Sequence, residues 1–131
     1  MSNTSAKKPV STTGAPGAIG PYSQAIVAGG FVHCSGQIGV DPASGEVVGG
    51  VVQQAERALT SLGAVLEEAG SSFAQVVKCN VYLTSMGDFA AVNEVYARFF
   101  PDPPPARACV EVSGLPKGVE FEVDCVALTE G

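Results

Sequence analysis

The chain has 131 residues, of which 46% are hydrophobic and 15% charged, and its formal net charge is −6. This length suits one domain with one hydrophobic core, and the low charged fraction leaves room for apolar surface covered by further copies of the chain. The acidic balance disfavours nucleic-acid binding, because a general polyanion binder needs a basic stripe to neutralise phosphates. Glycines and polar residues interrupt every apolar stretch, so no membrane span is predicted.

The cysteines are widely spaced and accompany a single histidine, His33. A zinc site needs several thiolate or imidazole ligands at short spacing, so we predict neither a metal nor another cofactor. Each cysteine lies in an apolar or strand-like run, which favours reduced core residues of an intracellular protein. We therefore expect a cytoplasmic location, with an organelle as the alternative in a eukaryote. The four are Cys34, Cys79, Cys109 and Cys125.

The first half of the chain predicts a tail, a hairpin and a helix. Residues 1–13 are rich in Ser, Thr and Lys without an apolar face, which predicts a flexible tail before a single domain over residues 14–131. Short strands at 23–27 and 31–35 flank a glycine turn that favours a tight hairpin. Apolar residues then recur every three or four positions, which predicts an amphipathic helix over 51–70 with Gly70 as its cap.

The second half predicts a strand, a helix and two further strands. Residues 76–83 are rich in β-formers, and Asp88 is a candidate N-cap for a helix that Pro101 ends. The segments 106–112 and 119–128 alternate apolar and polar residues, as strands do, and LPKG (115–118) joins them. The order ββαβαββ predicts an α+β two-layer sandwich with two helices on one face of a sheet.

Alternation in the last two strands places polar groups together. Period two puts Arg107 and Cys109 on the face opposite the apolar, helix-facing set. If LPKG makes a simple hairpin, Cys109 lies near Glu122 and Arg107 lies near Asp124. A guanidinium binds a carboxylate through two parallel contacts, and a nearby Glu can carry a proton. The alternative is a merely solvated polar face, which half-exposed antiparallel sheets commonly have.

Several motifs occur in order along the chain: GAIGPYSQA (17–25), SGQI followed by DPASGE, VNEVY, PPARACVEV, LPKG and FEVD. Together they resemble the reactive intermediate deaminase (Rid, YjgF-like) family over nearly the whole chain after Pro9. The resemblance implies a chorismate-mutase-like α+β fold with a mixed sheet. It also implies homotrimers whose sheets pack into a central barrel, with active sites in the clefts between subunits.

The resemblance further implies a cofactor-independent hydrolase that converts enamines and imines, such as 2-aminoacrylate and 2-aminocrotonate, to 2-oxo acids and ammonia. By position, Arg107 would clamp the substrate carboxylate and Glu122 would hold or activate water. The pocket would be lined by Tyr22, Ser35, Asn93 and Cys109. Gly39 departs from the family pattern, which often has proline after SGQI.

Two other functions fit the same resemblance. One is a ligand-sensing or protein-binding member without turnover, and the other is an endoribonuclease or a chaperone-like protein. Arg107 together with Glu122 favours the deaminase over the sensor, because a sensor needs the arginine but not an acid that handles water. The net charge of −6 disfavours RNA as the substrate.

Overall fold

The computed structural model describes residues 6–129, which form one mixed sheet and two helices. The strands lie in the order β1-β2-β3-β6-β4-β5, and every neighbouring pair is antiparallel except the parallel pair β4 and β5. The elements are β1 (Lys8–Val10), β2 (Ala25–Ala28), β3 (Phe31–Ile38), α1 (Val51–Glu68), β4 (Val76–Leu83), α2 (Phe89–Ala97), β5 (Ala106–Glu111) and β6 (Phe121–Leu128). Three single 3-10 turns stand between them, at Phe73–Gln75, Met86–Asp88 and Pro116–Gly118.

The core lies between the helices and one face of the sheet. Strand β6 is central, and its alternation separates the two faces: Phe121 and Val123 are fully buried toward the helices, whereas Glu122 points to the other side. The predicted α+β sandwich with two helices on one face is therefore confirmed. We call the opposite side the open face, since no described element packs on it; it carries Phe31, His33, Asn80, Tyr82, Ala108, Val110, Glu122, Asp124, Val126 and Leu128.

The hairpin of β2 and β3 and the start of α1 depend on glycines. Gly29 and Gly30 both have positive φ, at 59° and 84°, as the predicted tight turn requires. Gly39 lies against the first turn of α1, where a Cβ would overlap the backbone of Gln54. This close approach explains why the chain has glycine here.

The predicted flexible tail is wrong for Lys8–Val10. These residues form the edge strand β1, which pairs with β2 through Lys8↔Val27 and Val10↔Ala25. Val10 is buried, so this one apolar side chain gives the strand its place in the core. Residues 1–5 lie outside the described residues.

The predicted hairpin between the last two strands is also wrong. Strand β5 pairs with β4, and β4 separates it from β6. Because β4 and β5 are parallel and α2 connects them, the pair is a crossover unit, and the LPKG segment passes over to the far side of β4. Arg107 is therefore level with Cys79 rather than next to Asp124.

The face predicted for Arg107 and Cys109 is reversed. Their register partners on β4 are Cys79 and Val81, which are buried toward the helices, so Arg107 and Cys109 also point to the helix side. Nearly every residue of the edge strand β5 is exposed or partly exposed. Its alternation therefore does not report which side faces the core.

Candidate functional site

Arg107 is held against one face of α2. Its Nη1 donates a hydrogen bond of 2.8 Å to Asn93 Oδ1. Its Cζ lies 4.7 Å from the centroid of the Tyr96 ring and 5.5 Å from that of Phe89. Positions 89, 93 and 96 follow each other at helical spacing on one side of α2. A single helix face thus fixes this guanidinium, and most of its five N–H groups are left for another partner.

The Arg107 side chain lines a groove of about 610 Å³ between the end of α2 and the proline-rich segment at residues 101–105. Among residues 6–129 the ion pairs comprise only Arg98 with Glu56, so Arg107 has no acidic partner there. An oriented cation that makes no ion pair within the described residues suits a small anionic ligand. The other lining residues are Asn93, Tyr96, Ala97, Phe100, Asp102, Pro104 and Pro105.

Cys109 lies two residues after Arg107, partly buried against the core. Burial raises the pKa of its thiol, and the neighbouring Arg107 charge opposes that rise. A thiol with a raised pKa is a poor nucleophile. Cys109 therefore presents a neutral thiol, and not a thiolate, to a ligand.

Glu122 lies on the open face, over a bulge in β3. Cys34 pairs with Cys125 and Gln37 with Val123, so Ser35 and Gly36 together stand opposite one residue of β6. A Cβ on Gly36 would overlap the Glu122 carboxylate. Burial raises the pKa of Glu122, and repulsion from Asp124 raises it further. The glycine bulge thus makes room for a partly desolvated acid.

Ser35 and Tyr22 adjoin this acid. The Ser35 hydroxyl donates to the Ser23 carbonyl at 2.6 Å, and the Ser35 N–H donates to the Gln24 carbonyl at 2.9 Å. These bonds tie the bulge to the loop that carries Tyr22, which is 51% exposed. Tyr22 and Gly36 line a cavity of about 150 Å³. The glycine bulge thus lies between Glu122 and the loop that carries Tyr22, and we call Tyr22, Ser35 and Glu122 the Glu122 cluster.

The remaining three predicted site residues, Asn93, Arg107 and Cys109, form a separate Arg107 cluster. Glu122 is level with Tyr82 and Arg107 with Cys79 on the intervening strand β4. Standard strand dimensions separate them by about 10 Å along the strands and about 10 Å across two of them. They also point to opposite faces of the sheet. A single chain therefore does not bring the six residues together.

Two groups of side chains were missed from the sequence. Phe89 and Tyr96 surround the Arg107 guanidinium, and their spacing from Asn93 on α2 was the available signal. On the open face, Asp124 accepts hydrogen bonds from Asn80 Nδ2 at 2.9 Å and from the Tyr82 hydroxyl at 3.0 Å. Burial and this bond to Asp124 raise the pKa of Tyr82.

The described residues provide no group of three or more His, Cys, Asp or Glu side chains arranged to hold a metal ion. All four cysteines are free, and Cys34, Cys79 and Cys125 are buried, as predicted for reduced core residues. Neither α1 nor α2, the helices of residues 6–129, is both long and apolar enough to cross a membrane.

Curated relatives resemble the chain over almost their full length. Protein DfrA of Myxococcus xanthus is 52% identical over 127 residues, which cover 95% of this chain and 97% of that protein. The 2-iminobutanoate/2-iminopropanoate deaminase of Capra hircus is 49% identical over 120 residues, covering 91% of this chain and 88% of the deaminase.

Solved structures share the fold. RidA from an Antarctic Psychrobacter has a TM-score of 0.90 and 43% identity, covering 92% of this chain and 98% of its own. Escherichia coli TdcF with bound serine has a TM-score of 0.90 and 41% identity, covering 94% and 99%. The sequence model of the family described as Endoribonuclease L-PSP matches residues 12–129. The chain therefore belongs to the Endoribonuclease L-PSP family, the YjgF/Rid family that its motifs resemble.

Proposed function

We propose that this protein hydrolyses the imines of 2-amino acids, together with the enamines that tautomerise to them, to 2-oxo acids and ammonia. The observation that carries the proposal is the Arg107 guanidinium, which Asn93 and two aromatic rings orient and which no acid among residues 6–129 neutralises. Such a group binds a carboxylate through two parallel hydrogen bonds. Relatives named as imine deaminases, and the serine bound to TdcF, support a small amino-acid-derived carboxylate as the ligand.

We further propose that the site is shared between subunits of a homotrimer. The Arg107 cluster and the Glu122 cluster of one chain point to opposite faces of the sheet, so one small substrate cannot contact both. The open face exposes Phe31, Val110 and Leu128 by 38%, 46% and 43%. Burying such apolar groups against a second copy favours association. In a closed ring, the Arg107 cluster of each subunit meets the Glu122 cluster of its neighbour.

The proposed chemistry needs one binding group and one proton carrier. Arg107 holds the carboxylate while a water oxygen adds to the C=N carbon. Glu122 takes a proton from that water as the C–O bond forms and passes it to the nitrogen, so that the C=N double bond becomes the C–N single bond of a carbinolamine. As that C–N bond breaks, Glu122 moves the hydroxyl proton of the carbinolamine to the departing nitrogen. One imine and one water thus give one 2-oxo acid and one ammonia. An enamine first moves a proton to its terminal carbon and becomes the imine.

The proposal is tested by generating 2-aminocrotonate from threonine with a dehydratase and following its disappearance with this protein present or absent. We expect the wild-type protein to accelerate the loss and the formation of 2-oxobutanoate. Arg107→Ala should remove most of this acceleration, whereas Arg98→Ala, which removes an exposed arginine of the Glu56 ion pair, should retain it. An unchanged rate with wild-type protein would contradict the proposed function.

The family description also names an endoribonuclease. The net charge of −6 and the single arginine of the Arg107 cluster do not provide the run of cations that an RNA backbone requires. A small carboxylate therefore fits the site better than RNA does. Incubation of the purified protein with single-stranded RNA is expected to leave the RNA intact.

A further inference from the structure

Tyr96 stands between Arg107 and the aromatic core. The Tyr96 ring stacks on Phe100 with centroids 4.4 Å apart and an interplanar angle of 29°. Phe100 in turn meets the edge of Phe73 at 5.1 Å. The Arg107 guanidinium also lies over the Tyr96 ring, with its Cζ 4.7 Å from the ring centroid. A continuous series of rings thus connects the buried core to an arginine on an exposed edge strand.

The ring of Tyr96, rather than its hydroxyl, makes these contacts. Tyr96 is only 7% exposed, and its hydroxyl is buried without a well-aligned hydrogen-bond partner in the described residues. The polar group that the hydroxyl meets is the Cys79 thiol. An unsatisfied buried hydroxyl disfavours folding. The contacts with Phe100 and Arg107 therefore belong to the ring, which Tyr96→Phe would keep.

An arginine on an edge strand loses much rotamer freedom when it binds a ligand. A cation over an aromatic face, with one hydrogen bond to a neighbouring amide, has lost part of that freedom beforehand. The Asn93 amide fixes one nitrogen of Arg107, and the Tyr96 ring supports the guanidinium carbon. The two contacts together set which N–H groups stay free for a carboxylate.

We propose that Tyr96, braced by Phe100, is a positioning residue that holds the Arg107 guanidinium in one plane ready to bind the substrate carboxylate. The ligand in this inference rests on the proposed function, whereas the orientation of Arg107 does not. Tyr96 acts through Arg107 and has no contact of its own with the reacting atoms.

Binding and kinetics of three variants test this role. Tyr96→Leu removes the ring, Tyr96→Phe keeps it, and Phe99→Leu removes a neighbouring ring that packs on Phe73 at 5.6 Å and has no such contact with Arg107. For Tyr96→Leu we expect the KM for 2-iminobutanoate and the Kd for 2-oxobutanoate to rise about three- to thirtyfold, the range of a cation–π contact. Its kcat should change much less. Tyr96→Phe and Phe99→Leu should both bind like the wild type.

A double-mutant cycle separates positioning from general loosening of the fold. In an Arg107→Ala background, Tyr96→Leu should weaken 2-oxobutanoate binding no further, because its effect passes through the arginine. If Tyr96→Leu weakens binding equally in both backgrounds, or if Phe99→Leu matches it, the inference is wrong. A folded Tyr96→Leu with wild-type Kd would also overturn it.

The orientation itself is measurable without any ligand or activity. Stacking over the Tyr96 ring should shift the Arg107 Hδ resonances of the wild-type protein upfield, and Tyr96→Phe should preserve that shift. Should Tyr96→Leu fail to fold, this wild-type measurement still decides the matter, since unshifted Hδ resonances exclude the stack. If the wild-type protein shows the upfield shift but does not hydrolyse imines, the inference stands and the proposed function is contradicted.

Discussion

The Arg107 cluster and the Glu122 cluster are built in opposite ways. Arg107 projects from an exposed edge strand and takes its order from α2, through Asn93 and two aromatic rings. Glu122 projects from the central strand β6 and takes its environment from a glycine bulge and partial burial. The first arrangement fixes a charge for binding, and the second raises the pKa of an acid for proton transfer. In the proposed function each cluster is half of a hydrolytic site, and the predictions below test whether they divide the work in this way.

The largest expected effect is on chemistry at the Glu122 cluster. Glu122→Gln removes the proton carrier but keeps the shape, so kcat should fall about 10²- to 10⁴-fold, the usual contribution of general acid–base catalysis. Calorimetry with 2-oxobutanoate should show nearly unchanged binding, because the carboxylate is held by the other cluster. Glu120→Gln makes the same change of charge two residues away and should keep full activity. If Glu122→Gln instead bound 2-oxobutanoate weakly and kept a normal kcat, Glu122 would have a role in binding and not in proton transfer.

A somewhat smaller effect is expected at Arg107. Losing a charge-assisted pair in a partly desolvated site costs about 2–4 kcal/mol, so Arg107→Ala should lower kcat/KM about thirty- to a thousandfold. Arg107→Lys keeps the charge but cannot make the two parallel hydrogen bonds of a guanidinium, so it should recover only a small part of the lost kcat/KM. Both variants should melt cooperatively like the wild type, since the side chain lies on an edge strand. If folded Arg107→Ala had near-normal activity, the Arg107 cluster would have only a structural role.

The smallest effect concerns stability. Because burial and Asp124 raise the folded-state pKa of Glu122, the folded protein binds the proton more tightly than the unfolded chain does. The contribution of Glu122 to the free energy of unfolding is therefore fully present below its pKa in the unfolded chain, and it is lost as the pH rises through its pKa in the folded protein. At pH values above that window, Glu122→Gln should therefore melt a few degrees higher than the wild type. Below a pH of about 4 the two proteins should have the same melting temperature. Equal melting temperatures at pH 7 would argue against a desolvated acid.

The same contrast explains what could be predicted from the sequence. The helix over 51–70 and strand β6 were predictable because both are central, so their apolar periodicity reports burial directly. Strand β5 alternates equally well but lies at the edge, where neither set of side chains is buried, and its face was predicted wrongly. The LPKG segment carries turn residues, yet nothing local distinguishes a hairpin from a connection that passes over a third strand.

Motif resemblance proposes which residues belong to the site but not how they are arranged. Motif resemblance selected Tyr22, Ser35, Asn93, Arg107, Cys109 and Glu122 without regard to geometry, and the structure divides them into two clusters. Their separation follows from strand order, which depends on contacts between distant parts of the chain. The sequence does not single out the rings of Phe89 and Tyr96, because apolar residues at helical spacing normally pack in the core. Their contact with Arg107 needs the parallel pairing of β4 and β5.

The central claim, that neighbouring subunits each supply half of the site, is tested most directly by mixing two inactive variants. Arg107→Ala and Glu122→Gln chains with different tags are co-expressed, and trimers that contain both are isolated by two successive affinity steps. In a cyclic trimer of either mixed composition, one interface joins an intact Arg107 to an intact Glu122. We expect such trimers to recover about one third of the wild-type rate. Mixed trimers no more active than the separate variants would contradict the shared site.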